Sequence, residues 1–168
     1  MNKAPLILVA DDDQNDLRMI ADVLDRAGDA TRRYYVSDGA EALDFLHRRG
    51  AYQDRPPGPP GLVLLDLNMP RIDGWEVLRQ VKHDAALGLV PIVVFSSSAR
   101  EADVRACYEF GANAYAVKPI DFQEFRRTVA AVQAFWLECN QPPPAAGRRR
   151  EPPPSPRRRL PRVRNELA

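Results

Sequence analysis

The sequence predicts an α/β fold: a doubly wound sheet of five parallel strands, (βα)5, in the strand order 2-1-3-4-5. Three observations carry this. Short apolar runs alternate with longer stretches of helical periodicity, the signature of βα units rather than hairpins. Four of those runs end in polar groups: Leu6–Ala10 before Asp11, Asp12 and Asp13, Leu62–Leu65 before Asp66, residues 90–95 before Ser96, and Ala114–Val117 before Lys118. Parallel strands would gather these groups at one carboxyl edge, where open α/β sheets hold their sites. The run Leu62–Leu65 is also apolar throughout, as a central strand buried on both faces is.

Each element follows from local pattern. The first strand is Leu6–Ala10. Over residues 14–27, Leu17, Ile20, Ala21, Val23, Leu24 and Ala27 recur at helical spacing, and Gly28 ends that helix. Residues 31–36 read as a second, more polar strand, hence an edge. Ser37-Asp38-Gly39 leads into a helix over 40–49 that buries Ala42, Leu43, Phe45 and Leu46. Pro56, Pro57, Pro59 and Pro60 fall within residues 52–61. Proline fixes φ and lacks a donor, so this segment reads as a rigid exposed loop. After the third strand, Leu62–Leu65, Asn68-Met69-Pro70 turns the chain, and Gly74–His83 is a helix with Val77, Leu78 and Val81 inward. Residues 91–95 form the fourth strand, and 100–110 a helix closed by Gly111. The fifth strand is Ala114–Val117. The last helix spans 121–138, where Phe122, Phe125, Val129, Val132 and Trp136 make a seam for packing on the domain or on a partner.

Composition divides the chain into a domain, residues 1–140, and a tail, 141–168. The net charge of +1 hides opposite halves. Residues 1–140 carry 16 basic and 21 acidic side chains, whereas the tail carries eight arginines and two glutamates. The tail's proline and arginine clusters leave almost nothing apolar to bury, so it is expected to stay disordered. Cys107 and Cys139 are too few for a disulfide scaffold and read as free thiols in a reducing compartment. Apolar runs fall far short of the ~18–20 residues that span a bilayer. The short apolar start runs straight into Asp11, unlike a signal peptide. The expected location is cytoplasmic, with no membrane partner.

A carboxylate cluster beside a hydroxyl and an ammonium is what Mg²⁺-assisted phosphoryl transfer to an aspartate requires. Taken singly, each residue has a plainer reading. Asp66 alone is a loop acid or helix cap, and Ser96 in Ser96-Ser97-Ser98 is a polar turn. Tyr115 alone is a half-buried aromatic, and Asp13 is a solvated surface acid. His47 and His83 sit at helix ends without metal-ligand partners, and Cys107 packs in a helix. The conjunction and spacing of the first residues favour chemistry.

These residues resemble the receiver domain of two-component response regulators, over about residues 5–138. Asp11-Asp12 is similar to the acidic pair after the first strand, with Ala10 in place of the more usual valine. Asp66, in Leu-Leu-Asp-Leu-Asn-Met-Pro with Asp73-Gly74 following, is similar to the phosphoacceptor. Ser96 lies 30 residues later, Lys118-Pro119 begins 52 later, and Tyr115 stands three before the lysine. The resemblance implies a flavodoxin-like fold with Asp66 as the nucleophile toward a histidine kinase's phosphoryl group. It implies Mg²⁺ held by Asp12, Asp66 and the carbonyl of Asn68, with Asp11 acting through a water. It implies that Lys118 pairs with Asp66 until phosphorylation, that Ser96 donates its hydroxyl, and that Tyr115 is the switch aromatic. Pro119 is expected to follow a cis bond. Such a protein phosphorylates itself and hydrolyses its own acyl phosphate, and is not an enzyme in the turnover sense.

The loop 53–61 and Phe135-Trp136-Leu137 resemble a narrower group, the single-domain regulators paired with phytochromes and often dimeric through their C-terminal face. The expected partners are therefore a sensor histidine kinase, with a phytochrome as the candidate, and a second copy of the chain through the last helix, where Trp136 looks exposed. The alternative is a nucleic-acid-binding regulator using the basic tail, which no helix-turn-helix or zinc-finger pattern supports. A third reading is an interaction module that is never phosphorylated.

Overall fold

The computed structural model describes residues 5–26 and 30–143. The expected stop at Gly28, the contact of Ala27 and the arginine-rich part of the tail lie outside the described residues. Five strands, β1 (Leu6–Ala10), β2 (Arg32–Val36), β3 (Leu62–Leu65), β4 (Ile92–Ser96) and β5 (Ala114–Val117), form one parallel sheet ordered β2-β1-β3-β4-β5. The fold class and strand order match the sequence reading. β1 and β3 lie in register, with Ala10 opposite Leu65, so the residues that follow them, Asp11 and Asp66, emerge side by side.

The five helices are α1 (Gln14–Asp25), α2 (Gly39–His47), α3 (Gly74–His83), α4 (Glu101–Glu109) and α5 (Phe122–Ala134). Alternate strand residues face two separate cores. Leu8, Ala10, Val63, Leu65, Ile92 and Val94 pack with α2, α3 and α4, while Ile7, Val9, Leu62, Leu64, Val93 and Phe95 pack with α1 and α5. Period-two alternation thus serves both faces at once, and the middle strands are apolar on both faces up to Ser96 at the carboxyl end of β4. Burying each large side chain of these cores contributes about 1.5–3 kcal/mol.

Aspartates start four of the helices. Asp38, Asp73 and Asp121 accept from the backbone N–H three residues on, closing one orphan donor each. Asp13, expected to be merely solvated, does the same for α1, accepting from Asn15 N at 2.7 Å and Asp16 N at 3.2 Å. Its position one residue before the helix converts a surface acid into a cap. Gly111, at φ +94°, closes α4 as anticipated.

Two expectations need correction. The proline loop is not simply exposed: Arg55 is only 6% exposed and fastens it to the core. Its guanidinium donates to the carbonyls of Phe45 (2.8 Å), Leu46 (3.3 Å), Pro56 (3.0 Å) and Gly58 (2.9 Å) and lies 4.5 Å over the Phe45 ring. Phe45 and Leu46 belong to the last turn of α2, where carbonyls run out of i+4 donors; the Phe45 carbonyl takes the Arg48 N–H as well, and Arg55 adds donors to both. The second correction concerns the C-terminal helix. α5 gives way to a π-helical turn, Phe135–Cys139. There Trp136 is half-buried against the α1–α5 core, and Phe135 is the exposed ring. Phe122, the first residue of the seam, also faces solvent, while Phe125 and Val129 are buried.

Candidate functional site

Backbone bonds fix where the polar residues leave the sheet. Asp66 N donates to Ala10 O (2.8 Å), Asp11 N to Val36 O (3.1 Å) and Lys118 N to Ser96 O (2.8 Å). Each bond extends the parallel ladder by one residue, so the chain ends come out together at the carboxyl edge. Gly74 lets the turn after β3 fold back tightly. A Cβ there would lie 2.0 Å from Asp66 O, so no other residue fits.

At this edge the carboxylates of Asp11, Asp12 and Asp66 each present an oxygen within 4.8 Å of the others. Asp11 and Asp66 are buried and Asp12 is exposed, giving a pit with one solvated wall. Asp11 Oδ1 accepts from Asp13 N (3.0 Å) and Asp66 Oδ1 from Leu67 N (2.9 Å). An all-oxygen, anionic donor set with an open side suits a hard divalent cation. Asn68 stands in the turn after Asp66 with its side chain exposed.

Lys118 reaches into the pit from β5, but Asp66 is not its nearest partner. Its Nζ lies 2.7 Å from Asp11 Oδ2 and 2.8 Å from Asp16 Oδ2, against 3.7 Å from Asp66 Oδ2. The expected Lys118–Asp66 pair is therefore the long arm of a four-membered ion cluster. Asp16 is the residue that sequence reasoning missed. An acid in the first turn of a helix reads as a complement to the helix dipole, and nothing local links it to a lysine about a hundred residues on.

Charge crowding shows in the proton affinities. Burial pushes the Asp66 carboxyl up to about 6; Lys118 opposes this, and the neighbouring Asp11 and Asp12 add to it. Asp11 is raised as well, because burial outweighs its ion pair with Lys118. Burial alone would lower the Lys118 ammonium, but its bonds to Asp11 and Asp16 prevail and hold it raised. Near neutral pH an ionised Asp66 thus faces a charged Lys118 in a poorly solvated pocket.

Residues 7–130 match the response regulator receiver domain. The chain belongs to this family. It is 36% identical over 137 residues to Response regulator Rcp1 of Synechocystis sp., spanning 82% of this chain and 92% of Rcp1. The Mn(2+)-bound form of Rcp1 superposes with a TM-score of 0.78 over 83% of this chain and 99% of that one, at 35% identity. The phosphorylated cyanobacterial phytochrome response regulator RcpA gives 0.79, at 33% identity over 84% of this chain and 99% of RcpA. The bacteriophytochrome response regulator RtBRR gives 0.68 at 40% identity, over 85% of this chain and 86% of its own.

The other expected residues of this receiver domain gather beside the pit. Ser96 ends β4 and is fully buried, its Oγ accepting from Ser98 N at 3.3 Å. Tyr115 is half-buried on β5 and donates its hydroxyl to Ser98 O at 2.8 Å. Ser98 Oγ in turn donates to Asp103 of α4 at 2.5 Å. The serine turn thus joins Ser96 to Tyr115 and to α4. Described peptide bonds are all trans, so Lys118–Pro119 departs from the expected cis form. An X–Pro bond prefers trans by only about 0.5–1 kcal/mol, so a receiver domain can carry either isomer. His47 and His83 sit at helix ends as expected. Burial pushes the Cys107 thiol up to about 11, in keeping with packing. Among the described residues no helix is long and apolar enough to cross a membrane.

Proposed function

We propose that this chain is a single-domain response regulator that accepts a phosphoryl group on Asp66 from a histidine kinase, with a bacteriophytochrome as the upstream kinase. The observation that carries the reading is the ion cluster itself: a buried carboxylate with a raised proton affinity, 3.7 Å from a lysine and within 4.8 Å of two more carboxylates. Its raised basicity makes Asp66 a better nucleophile while leaving it ionised near pH 7.5. In the transfer a P–O bond forms at an Asp66 oxygen as the P–N bond to the kinase imidazole breaks. The imidazole leaves with that electron pair and is protonated by solvent.

Lys118 meets the negative charge arriving on the phosphoryl oxygens, and Ser96 donates its hydroxyl to one of them. Asp12, Asp66 and the Asn68 carbonyl would hold Mg²⁺, with Asp11 acting through a water. The bound ion supplies positive charge at the transferring group. Movement of Ser96 toward the phosphoryl group pulls on the serine turn that Tyr115 and α4 share, changing the α4–β5–α5 surface. Exposed Phe122 and Phe135 on that side support a homodimer through the C-terminal helix face. The described elements from β1 to the π-helical turn support a receiver over 1–140. The nucleic-acid alternative depends on residues outside the described ones, and no observation favours it.

The test is phosphoryl transfer from a purified bacteriophytochrome kinase, in red and far-red light, to the wild type and to Asp66→Asn, with and without Mg²⁺. Light-dependent, Mg²⁺-dependent labelling that disappears in the variant is the expected result. Labelling only by other kinases removes the phytochrome assignment. Absence of labelling by any donor, acetyl phosphate included, removes the phosphoacceptor assignment.

A further inference from the structure

The geometry points to Asp16 as a positioning residue: it anchors Lys118 in the acidic pit when a divalent cation occupies it. This inference rests on the phosphoacceptor reading of Asp66. Lys118 has three carboxylate partners, at 2.7, 2.8 and 3.7 Å. Two of them, Asp11 and Asp66, belong to the carboxylate trio that can hold a metal, and Asp16 does not. A cation in the trio draws on two of the carboxylates that hold the lysine and repels its ammonium. The contact at 2.8 Å is the one the cation leaves intact.

The elements make this division possible. Asp11 leaves the end of β1, whereas Asp16 stands in the first turn of α1, behind the cap formed by Asp13. Its carboxylate is 19% exposed and Lys118 10%, so the pair is largely withdrawn from water, where charge–charge attraction is weakly screened. Without Asp16, Lys118 must rely on Asp11 and Asp66 alone. It then competes with the cation for its ligands, and it is displaced when the cation binds.

The deciding experiment is a double-mutant cycle on Mg²⁺ affinity, measured by calorimetry on the full chain with Asp16→Asn, Lys118→Met and the double variant. Asp16→Asn keeps the side chain's shape and removes its charge. With Lys118 present it should weaken Mg²⁺ binding by roughly five- to tenfold, the scale of one ion-pair coupling. In the Lys118→Met background the same change should cost less than about twofold, because no lysine remains to compete. Equal weakening in both backgrounds would overturn the inference, since Asp16 would then act on the cation by its own charge. So would unchanged affinity in both. A separate arm follows labelling of the wild type by acetyl phosphate at saturating Mg²⁺. Loss of labelling there refutes the phosphoacceptor reading, whereas the affinity cycle alone decides whether Asp16 acts through Lys118.

Discussion

Removing the charge of Asp66 should make the metal-free protein more stable, and the size of the effect follows from the site. Burial and two neighbouring carboxylates raise the Asp66 carboxyl from 3.8 to about 6. The unfolded chain releases this proton near pH 4 and the folded chain near pH 6. Between those values the unfolded state binds fewer protons, so stability falls as pH rises through the window and the loss is complete above it. At about 1.4 kcal/mol per pH unit, a gap of about two units amounts to ~3 kcal/mol. Asp66→Asn keeps an oxygen for the Leu67 N–H and carries no charge. Lys118 loses only its longest contact and keeps Asp11 and Asp16. The variant should therefore exceed the wild type by up to ~3 kcal/mol at pH 7.5 in EDTA, or roughly 10 °C in Tm. The gap should shrink toward zero by pH 4. Saturating Mg²⁺ should close most of it at pH 7.5, because the ion stabilises the wild type and has lost a ligand in the variant. Urea unfolding followed by circular dichroism from pH 4 to 8 is the assay. A variant no more stable than the wild type at pH 7.5, or a gap that persists at pH 4, refutes the reasoning.

Arg55→Ala strips donors from four carbonyls, two of them at the end of α2. It should cost about 2–4 kcal/mol in urea unfolding while leaving Mg²⁺ affinity unchanged. Asp13→Ala removes the α1 cap and should cost ~1 kcal/mol in the same assay. Gly74→Ala puts a Cβ against the Asp66 carbonyl and should reduce both stability and labelling. Phe135→Ser should lower any dimer population seen by light scattering without changing the free energy of urea unfolding by more than about 0.5 kcal/mol, since the ring is 52% exposed.

The sheet was legible because each strand ends where its apolar run ends, and a parallel ladder has only one edge at which those ends can meet. Asp11, Asp12, Asp66, Ser96 and Lys118 could therefore be grouped from position alone. What the pattern left open was which carboxylate the lysine chooses. That choice depends on the side-chain reach from α1, a helix whose first turn faces the pit, and on burial that differs among acids of identical sequence character. Arg55 was hidden for a related reason. Prolines marked its loop as exposed, but the demand for donors comes from the last turn of α2, and helix ends make such demands without any sequence mark of their own. Trp136 looked exposed, but it continues the seam of Phe125, Val129 and Val132 onto the α1–α5 core, and its neighbour Phe135 is the ring left to solvent. In each case the sequence identified the groups, and their partners were set by an element elsewhere in the chain. On the proposed reading, a lysine shared between Asp16 of α1 and the acids that follow β1 and β3 would remain beside Asp66 through both cation binding and phosphoryl arrival.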